Sequence, residues 1–392
     1  MPNKHFCIQP FVNVTTRIKG QNNVCCNINL KDSNISNESP ANFFRSDKVK
    51  DMQTSLLQGK KRKECGLCWY QEKKAGYSQR TEYNNYYNIK NNQSNEYYDR
   101  ILKKLRISKL KNPLYFEFHI SNLCNLKCLT CNERDSSRFH AENKALGVSQ
   151  DKDANYAILD KNKIQALESA ITDDLLFLDI RGGETLMVPE VKKVLLDVDT
   201  QRAKNITLKI QTNGTIVPDK EWTQILKKFK RTKINISIDA FGDHNHYVRY
   251  PADWNKITTT LEYLKEKKIK FLINTVVSNL NIMILDSLFN WIQENNYPNY
   301  FYLLYGPTMF RPNNLPKTLL DIAKKRLQNV KMQFVNEDCN QKLSGLINLC
   351  DNPDTHGHWD SFCKEIQMRD RYRKNSITSI MPEIKEYMNA KV

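Results

Sequence analysis

The sequence predicts an α/β fold: six parallel strands alternating with helices and curving into a wide, incomplete barrel. Two observations carry this. From about Leu114 onward, strand-like runs alternate with helical patterns that open on recognisable start signals. Within those runs the side chains sort onto one apolar and one polar face. A closed eight-stranded barrel fills its interior with branched apolar residues. A polar inner face on six strands instead implies a mouth open to solvent or ligand, since parallel sheets rarely leave one face exposed.

The strand-like runs are Leu114–Ile120, Leu175–Arg181, Ile206–Thr212, Ile234–Asp239, Phe271–Val277 and Phe301–Tyr305. In the first, Phe116, Phe118 and Ile120 oppose Tyr115, Glu117 and His119. In the second, Leu176, Leu178 and Ile180 oppose Phe177, Asp179 and Arg181. In the fourth, Ile234, Ile236 and Ile238 oppose Asn235, Ser237 and Asp239. Side chains alternate between faces along a strand, so each run has one face for helices and one for the lumen. Glu117, His119, Asp179 and Asn274 are the candidates for lining the mouth. Pro189 and Pro218 are expected at first helical positions and Asp253 at an N-cap.

Residues 1–100 read differently. They hold a short alternating run from Phe11 to Thr16, Asn- and Ser-rich loops, two helix-like pieces, and an Asn- and Tyr-rich stretch from Tyr83 to Tyr98 expected to be a linker or loop. Past about Arg311 the pattern is helical to the end. The expected division is an N-terminal cysteine-rich module over 1–100, a barrel over 101–310 and a helical cap over 311–392.

The chain has 392 residues, 40% of them apolar and 26% charged, enough for a sizeable core. No apolar stretch approaches the ~20 residues of a membrane span, and Met1–Pro10 has no apolar signal core. A cytoplasmic protein is therefore expected. The net charge is +17, with basic runs at the ends of helical segments that suit solvated helix faces. An acidic partner, either nucleic acid or an electron-donor protein, is the alternative.

Eleven cysteines occur in clusters. Cys124, Cys128 and Cys131 lie in one loop directly after the first strand. Zinc usually takes four protein ligands from two cysteine knuckles. Three thiolates in one loop suit a 4Fe–4S cluster whose fourth iron is left open. With Arg181-Gly182-Gly183-Glu184 closing the second strand, the sequence here resembles the radical S-adenosylmethionine (SAM) superfamily, whose hallmark is C-x3-C-x2-C after the first strand of a partial (β/α)6 TIM-like barrel.

The resemblance implies a reaction and its cofactors. SAM would chelate the open iron and be cleaved reductively, after an electron from a flavodoxin or ferredoxin, to a 5′-deoxyadenosyl radical that abstracts hydrogen from a substrate. Gly182, Gly183 and Glu184 would bind the SAM amino group. Asn213, Ser237, Asp239 and Arg249 fall where relatives contact the rest of SAM. Thr185, Ala240 and Thr130 depart from the usual pattern and leave those contacts open.

Cys7, Gly20, Cys25 and the pair Cys65 and Cys68 resemble, in order and spacing, the SPASM/twitch auxiliary-cluster module, with Trp69, Glu72, Gly76, Ser78 and Arg80 extending the match. Four thiolates can hold a second 4Fe–4S cluster. Cys25 keeps the spacing from Gly20 better than Cys26. The resemblance implies a peptide, protein or small-molecule substrate. Two other readings stay open: a zinc-stapled nucleic-acid-binding protein, and a degenerate scaffold without SAM cleavage. Cys339, Cys350 and Cys363 are expected to be buried free thiols, with His356 and His358 nearby.

Overall fold

In a computed structural model, residues 2–388 are described except 29, 31–32, 152–153, 155, 157–158, 331–336 and 355–356. The chain divides into two compact units. The first comprises Met1–Cys124, Gln150–Gln211 and Pro218–Lys233; the second comprises Asn125–Ser149, Thr212–Val217 and Ile234–Val392.

The first unit carries strands in the order β2-β1-β3-β4-β5. Strands β1 (Asn13–Thr16) and β2 (Asn22–Asn23) come from the N-terminal region, followed by β3 (Tyr115–His119), β4 (Phe177–Arg181) and β5 (Thr207–Thr212). The pairs β1/β3, β3/β4 and β4/β5 are parallel, and β1/β2 is antiparallel. Of the residues expected on the apolar face, Phe116, Phe118, Leu178 and Ile180 are fully buried, whereas Leu176, just ahead of β4, is 41% exposed. Helices Lys161–Ala170, Pro189–Asp197 and Lys220–Lys228 follow these strands, the first and last capped by Asp160 and Asp219. Pro189 takes a first helical position. Pro218 instead stands before the cap, because the Asp219 carboxylate claims the Trp222 N–H at 2.8 Å.

The stretch Tyr83–Tyr98 is not a linker. Helices Gln79–Tyr86 and Asn95–Lys104 occupy both its ends, capped by Ser78 and Ser94. Asn and Tyr are indifferent helix formers, so composition hid these helices; tertiary packing holds them. Tyr98 is fully buried and stacks on Phe6 with ring centroids 3.8 Å apart. Around that pair lie Ile8, Val12, Ile89 and Leu102.

In the second unit β6 (Arg231–Ser237), β7 (Phe271–Val277) and β8 (Asn299–Leu303) run parallel in that order. β8 begins two residues before its expected start, and β6 ends at Ser237, leaving Ile238 and Asp239 beyond the strand. Asp253 caps helix Trp254–Glu266 as expected. Helices Lys317–Gln328, Glu337–Leu349 and His358–Arg373 follow. Cys350 is buried and Cys363 half-buried, both free thiols. The Cys339 side chain and His356 lie outside the described residues. Among the described residues no helix is long and apolar enough to cross a membrane.

The Phe6–Tyr98 stack gives a direct test of how the N-terminal helices are held. Tyr98→Ala should cost about 3–5 kcal/mol in equilibrium urea unfolding, whereas a solvated linker would tolerate it.

Candidate functional site

Two glycines govern the approach of β4 to the segment leading into Cys124. The Gly183 N–H donates to the Ser121 carbonyl at 2.7 Å, and the Glu184 N–H donates to the Leu123 carbonyl at 2.7 Å. A Cβ on Gly182 would overlap the Ser121 carbonyl oxygen, and one on Gly183 would overlap that of Leu123. Gly182 also has φ +151°, a backbone setting for which only glycine is suited. The strand ladder thus continues past both strand ends at a separation no side chain permits. Glu184 is fully buried, and its carboxylate accepts from the Leu186 N–H at 3.1 Å.

The rest of the three-cysteine loop belongs to the second unit. The Lys127 N–H donates to the Tyr250 carbonyl at 2.7 Å, and the Leu129 N–H to that of Val248 at 3.0 Å. The Ser136 hydroxyl donates to the Leu126 carbonyl at 2.6 Å while capping the helix Ser137–Ala145. Inside the loop Asn125 accepts from Asn213 at 2.7 Å and donates to the Thr215 hydroxyl at 2.8 Å. Asn213 is therefore brought to the cysteine loop.

Asp239 and Arg249 form an ion pair at 2.8 Å, and the second Asp239 oxygen accepts from the Val276 N–H at 2.8 Å. Cys124 and Cys128 are nearly buried and Cys131 is half-buried. Burial pushes the Cys128 thiol up, Arg249 pulls it back, Asp239 adds to the rise and Arg373 opposes it. Ser237 is buried at the end of β6.

The polar faces of β3, β4 and β5 hold a buried charge network. Glu117 and Asp179 are each 1% exposed. Asp179 accepts from the Tyr115 hydroxyl at 2.5 Å, from Lys209 at 2.9 Å and from Arg181 at 3.0 Å. Glu117 pairs with His119 at 2.7 Å and lies 3.8 Å from Arg181. Burial, the largest single effect, pushes both carboxyls up, but Arg181 together with Lys209 at Asp179, and with His119 at Glu117, outweighs it. Both stay below the usual carboxylate range. Lys209 and Tyr115 were not singled out from sequence, although both lie on the lumen face by simple alternation. Asn274, the other lumen candidate, is half-buried in the second unit.

A second thiol site lies in the N-terminal region. Cys7, Cys25, Cys65 and Cys68 line one cavity, together with Met52, Leu56 and Arg80. Burial, followed by the neighbouring Cys68, pushes the Cys65 thiol up to about 12. Cys26 does not line this cavity; it accepts from the Gln79 amide at 3.0 Å. Among the described residues no three His, Cys, Asp or Glu side chains converge at the spacing of a single-ion site. The four thiols ring a space instead.

The motif residues around that cavity interlock. Arg80 is 4% exposed, donates twice to Glu72 at 2.9 and 2.8 Å and once to the Phe6 carbonyl at 2.8 Å, and lies over the Trp69 ring. The Ser78 hydroxyl donates to Glu72 at 2.5 Å, and Gly76 ends the helix Gly66–Ala75 with φ +76°. Gly20 has φ +82° where a Cβ would press on Asn34 and Ile35.

Asp179→Asn should cost about 3–5 kcal/mol at pH 7, because it strands Arg181 and Lys209 in the interior. The Asp179 carboxyl is depressed on folding, so its stabilisation is present above its unfolded value near pH 4 and is lost as pH falls below that. The gap between wild type and variant should therefore narrow on acidification below about pH 4, measured by denaturant unfolding.

Residues 118–291 match the family model described as the Radical SAM superfamily. An uncharacterized protein of Methanocaldococcus jannaschii is 29% identical over 180 residues, covering 44% of this chain and 56% of its own length. A probable GTP 3′,8-cyclase of Methanococcus vannielii is 24% identical over 290 residues, covering 68% of this chain and 89% of its own. The chain thus spans little more than half of the first of these relatives. Among solved structures, Streptococcus suis SuiB bound to S-adenosylmethionine is similar with a TM-score of 0.39 and 17% identity, covering 71% of this chain and 63% of that one. The family match and the cyclase relative support an enzyme.

Proposed function

We propose that the chain is a radical SAM enzyme, a reading supported by the match of residues 118–291 to the Radical SAM family model, and that it reductively cleaves SAM and abstracts hydrogen from a substrate. On this reading β3–β8 form the partial (β/α)6 barrel, and Cys124, Cys128 and Cys131 hold the SAM-binding 4Fe–4S cluster. When bound, cluster and SAM supply a one-electron cleavage to methionine and a 5′-deoxyadenosyl radical, which takes a hydrogen atom from the substrate.

The protein's part is positional. The observation that carries the proposal is the paired bonding of Gly183 and Glu184 to Ser121 and Leu123, which fixes the Gly-Gly-Glu turn against the segment entering the cysteine loop. Gly182, Gly183 and Glu184 then meet the amino end of SAM. Asn213, Ser237, Asp239 and Arg249 meet the remainder, Asn213 through its bond to the loop residue Asn125. The Glu117–Asp179 network forms a charge-balanced polar floor, which holds a substrate without placing an unpaired charge beside it.

Cys7, Cys25, Cys65 and Cys68 hold a second 4Fe–4S cluster. The donor set fits: four thiols around one cavity with a buried guanidinium beside them. Cys25 is the ligand rather than Cys26, whose sulfur is engaged with Gln79. The substrate class is a peptide, a protein or a small molecule. A purine nucleotide is the first small molecule to test, given the activity named for a relative matching 68% of the chain. The electron donor is an acidic flavodoxin or ferredoxin that the +17 charge favours, and the setting is cytoplasmic.

Anaerobic reconstitution tests this directly. Wild type should carry about eight irons and form 5′-deoxyadenosine with dithionite and SAM. Cys124→Ala should lose about half the iron and all the cleavage; Cys65→Ala should lose about half the iron and keep cleavage. An iron-free zinc protein, or cleavage that survives Cys124→Ala, would contradict the proposal.

A further inference from the structure

The helix His358–Arg373 lies outside residues 118–291, yet it sends two arginines to Glu142, on the helix after the cysteine loop, and one of them to the loop itself. Glu142, on the helix directly after that loop, is 2% exposed and bonded by three cations. Lys127, between the first two cysteines, reaches it at 2.5 Å, Arg369 at 2.7 Å and Arg373 at 2.8 Å. Arg373 also donates from Nη2 to the Lys127 carbonyl at 2.8 Å, so one guanidinium ties the cysteine loop to the helix that follows it.

One feature of Arg373 exceeds what a structural clasp requires. Three cations meet the Glu142 carboxylate, with Glu365 bonded to Arg369 at 2.8 Å and the half-buried Asp370 also interacting with Arg373. The Arg373 side chain is 3% exposed, and its Nη1 has no hydrogen-bond partner among the described residues. Leaving a charged donor buried and unsatisfied is costly. The carbonyl that Arg373 holds belongs to Lys127, the residue immediately before Cys128. An anionic thiolate-bound cluster there would satisfy the spare donor.

We propose that Arg373 is a positioning residue for the three-cysteine loop and that its buried guanidinium stabilises the cluster and raises its reduction potential. The inference rests on reading Cys124, Cys128 and Cys131 as cluster ligands. Positive charge beside a cluster favours the reduced, more negative state, so removing it lowers the potential. Residues that hold metal ligands in place typically change metal retention by about 10–100-fold when lost.

The test compares full-length wild type, Arg373→Gln and Arg373→Lys after anaerobic reconstitution. The readouts are the midpoint potential of the SAM-responsive electron paramagnetic resonance signal and the rate of iron release to a chelator. Arg373→Gln should move the midpoint to more negative potential and release iron from this site about 10–100-fold faster. Arg373→Lys should bring the midpoint back toward wild type, because charge is restored, while iron release stays fast, because the fork onto Glu142 and the Lys127 carbonyl is lost.

A wild-type midpoint and release rate in Arg373→Gln would overturn the proposal, as would a midpoint in Arg373→Lys displaced as far as in Arg373→Gln. If Arg373→Gln does not fold, Arg373→Lys decides alone: iron release as slow as in wild type overturns the proposal. A SAM-responsive signal that persists in Cys128→Ala would instead overturn the ligand reading beneath it, and the proposal with it.

Discussion

The backbone contact between the end of β4 and the segment entering the cysteine loop sets the geometry on which the rest depends. Two N–H groups, on Gly183 and Glu184, bond to the carbonyls of Ser121 and Leu123. That spacing exists only because Gly182 and Gly183 carry no Cβ. An alanine at either place must push the loop away or break the bonds. Hydrogen bonds of this kind contribute about 1 kcal/mol each, so their value here lies in placement rather than stability. They fix the Gly-Gly-Glu turn against the segment Ser121–Leu123 that precedes Cys124.

Both thiol sites carry a buried arginine fixed by a carboxylate. In the N-terminal cavity Arg80 is held by Glu72 beside Cys7 and Cys68. In the second unit Arg373 is held by Glu142 and bonds the carbonyl of Lys127, next to Cys128. A guanidinium stays charged at any accessible pH, and its planar fork leaves donors free after one carboxylate is satisfied. The same device therefore offers lasting positive charge to sulfur that would become anionic on the proposed metal binding. The carboxylates keep each arginine in place when the sulfur is a neutral thiol.

The six strands from β3 to β8 and their faces were legible because alternation survives in short strands with one buried side. Phe116/Phe118 and Leu178/Ile180 show it plainly. The N-terminal thiol set was legible because cysteine spacing is a strong signal, and one cavity gathers all four thiols chosen from the sequence. Two features were hidden for physical reasons. Helices Gln79–Tyr86 and Asn95–Lys104 have weak propensity and depend on burial of side chains such as Tyr98. The convergence of Lys127, Arg369 and Arg373 on Glu142 joins residues more than 220 positions apart, and no local pattern announces it.

The central claim is that the three-cysteine loop leaves one iron open to SAM while the four-cysteine site is closed. Electron paramagnetic resonance of the dithionite-reduced protein, recorded with and without SAM, addresses it most directly. The account predicts two overlapping cluster signals, one of which changes on adding SAM and is absent from Cys124→Ala, while the other stays the same and is absent from Cys65→Ala. A reduced spectrum that does not respond to SAM, or a response that survives Cys124→Ala, would contradict it.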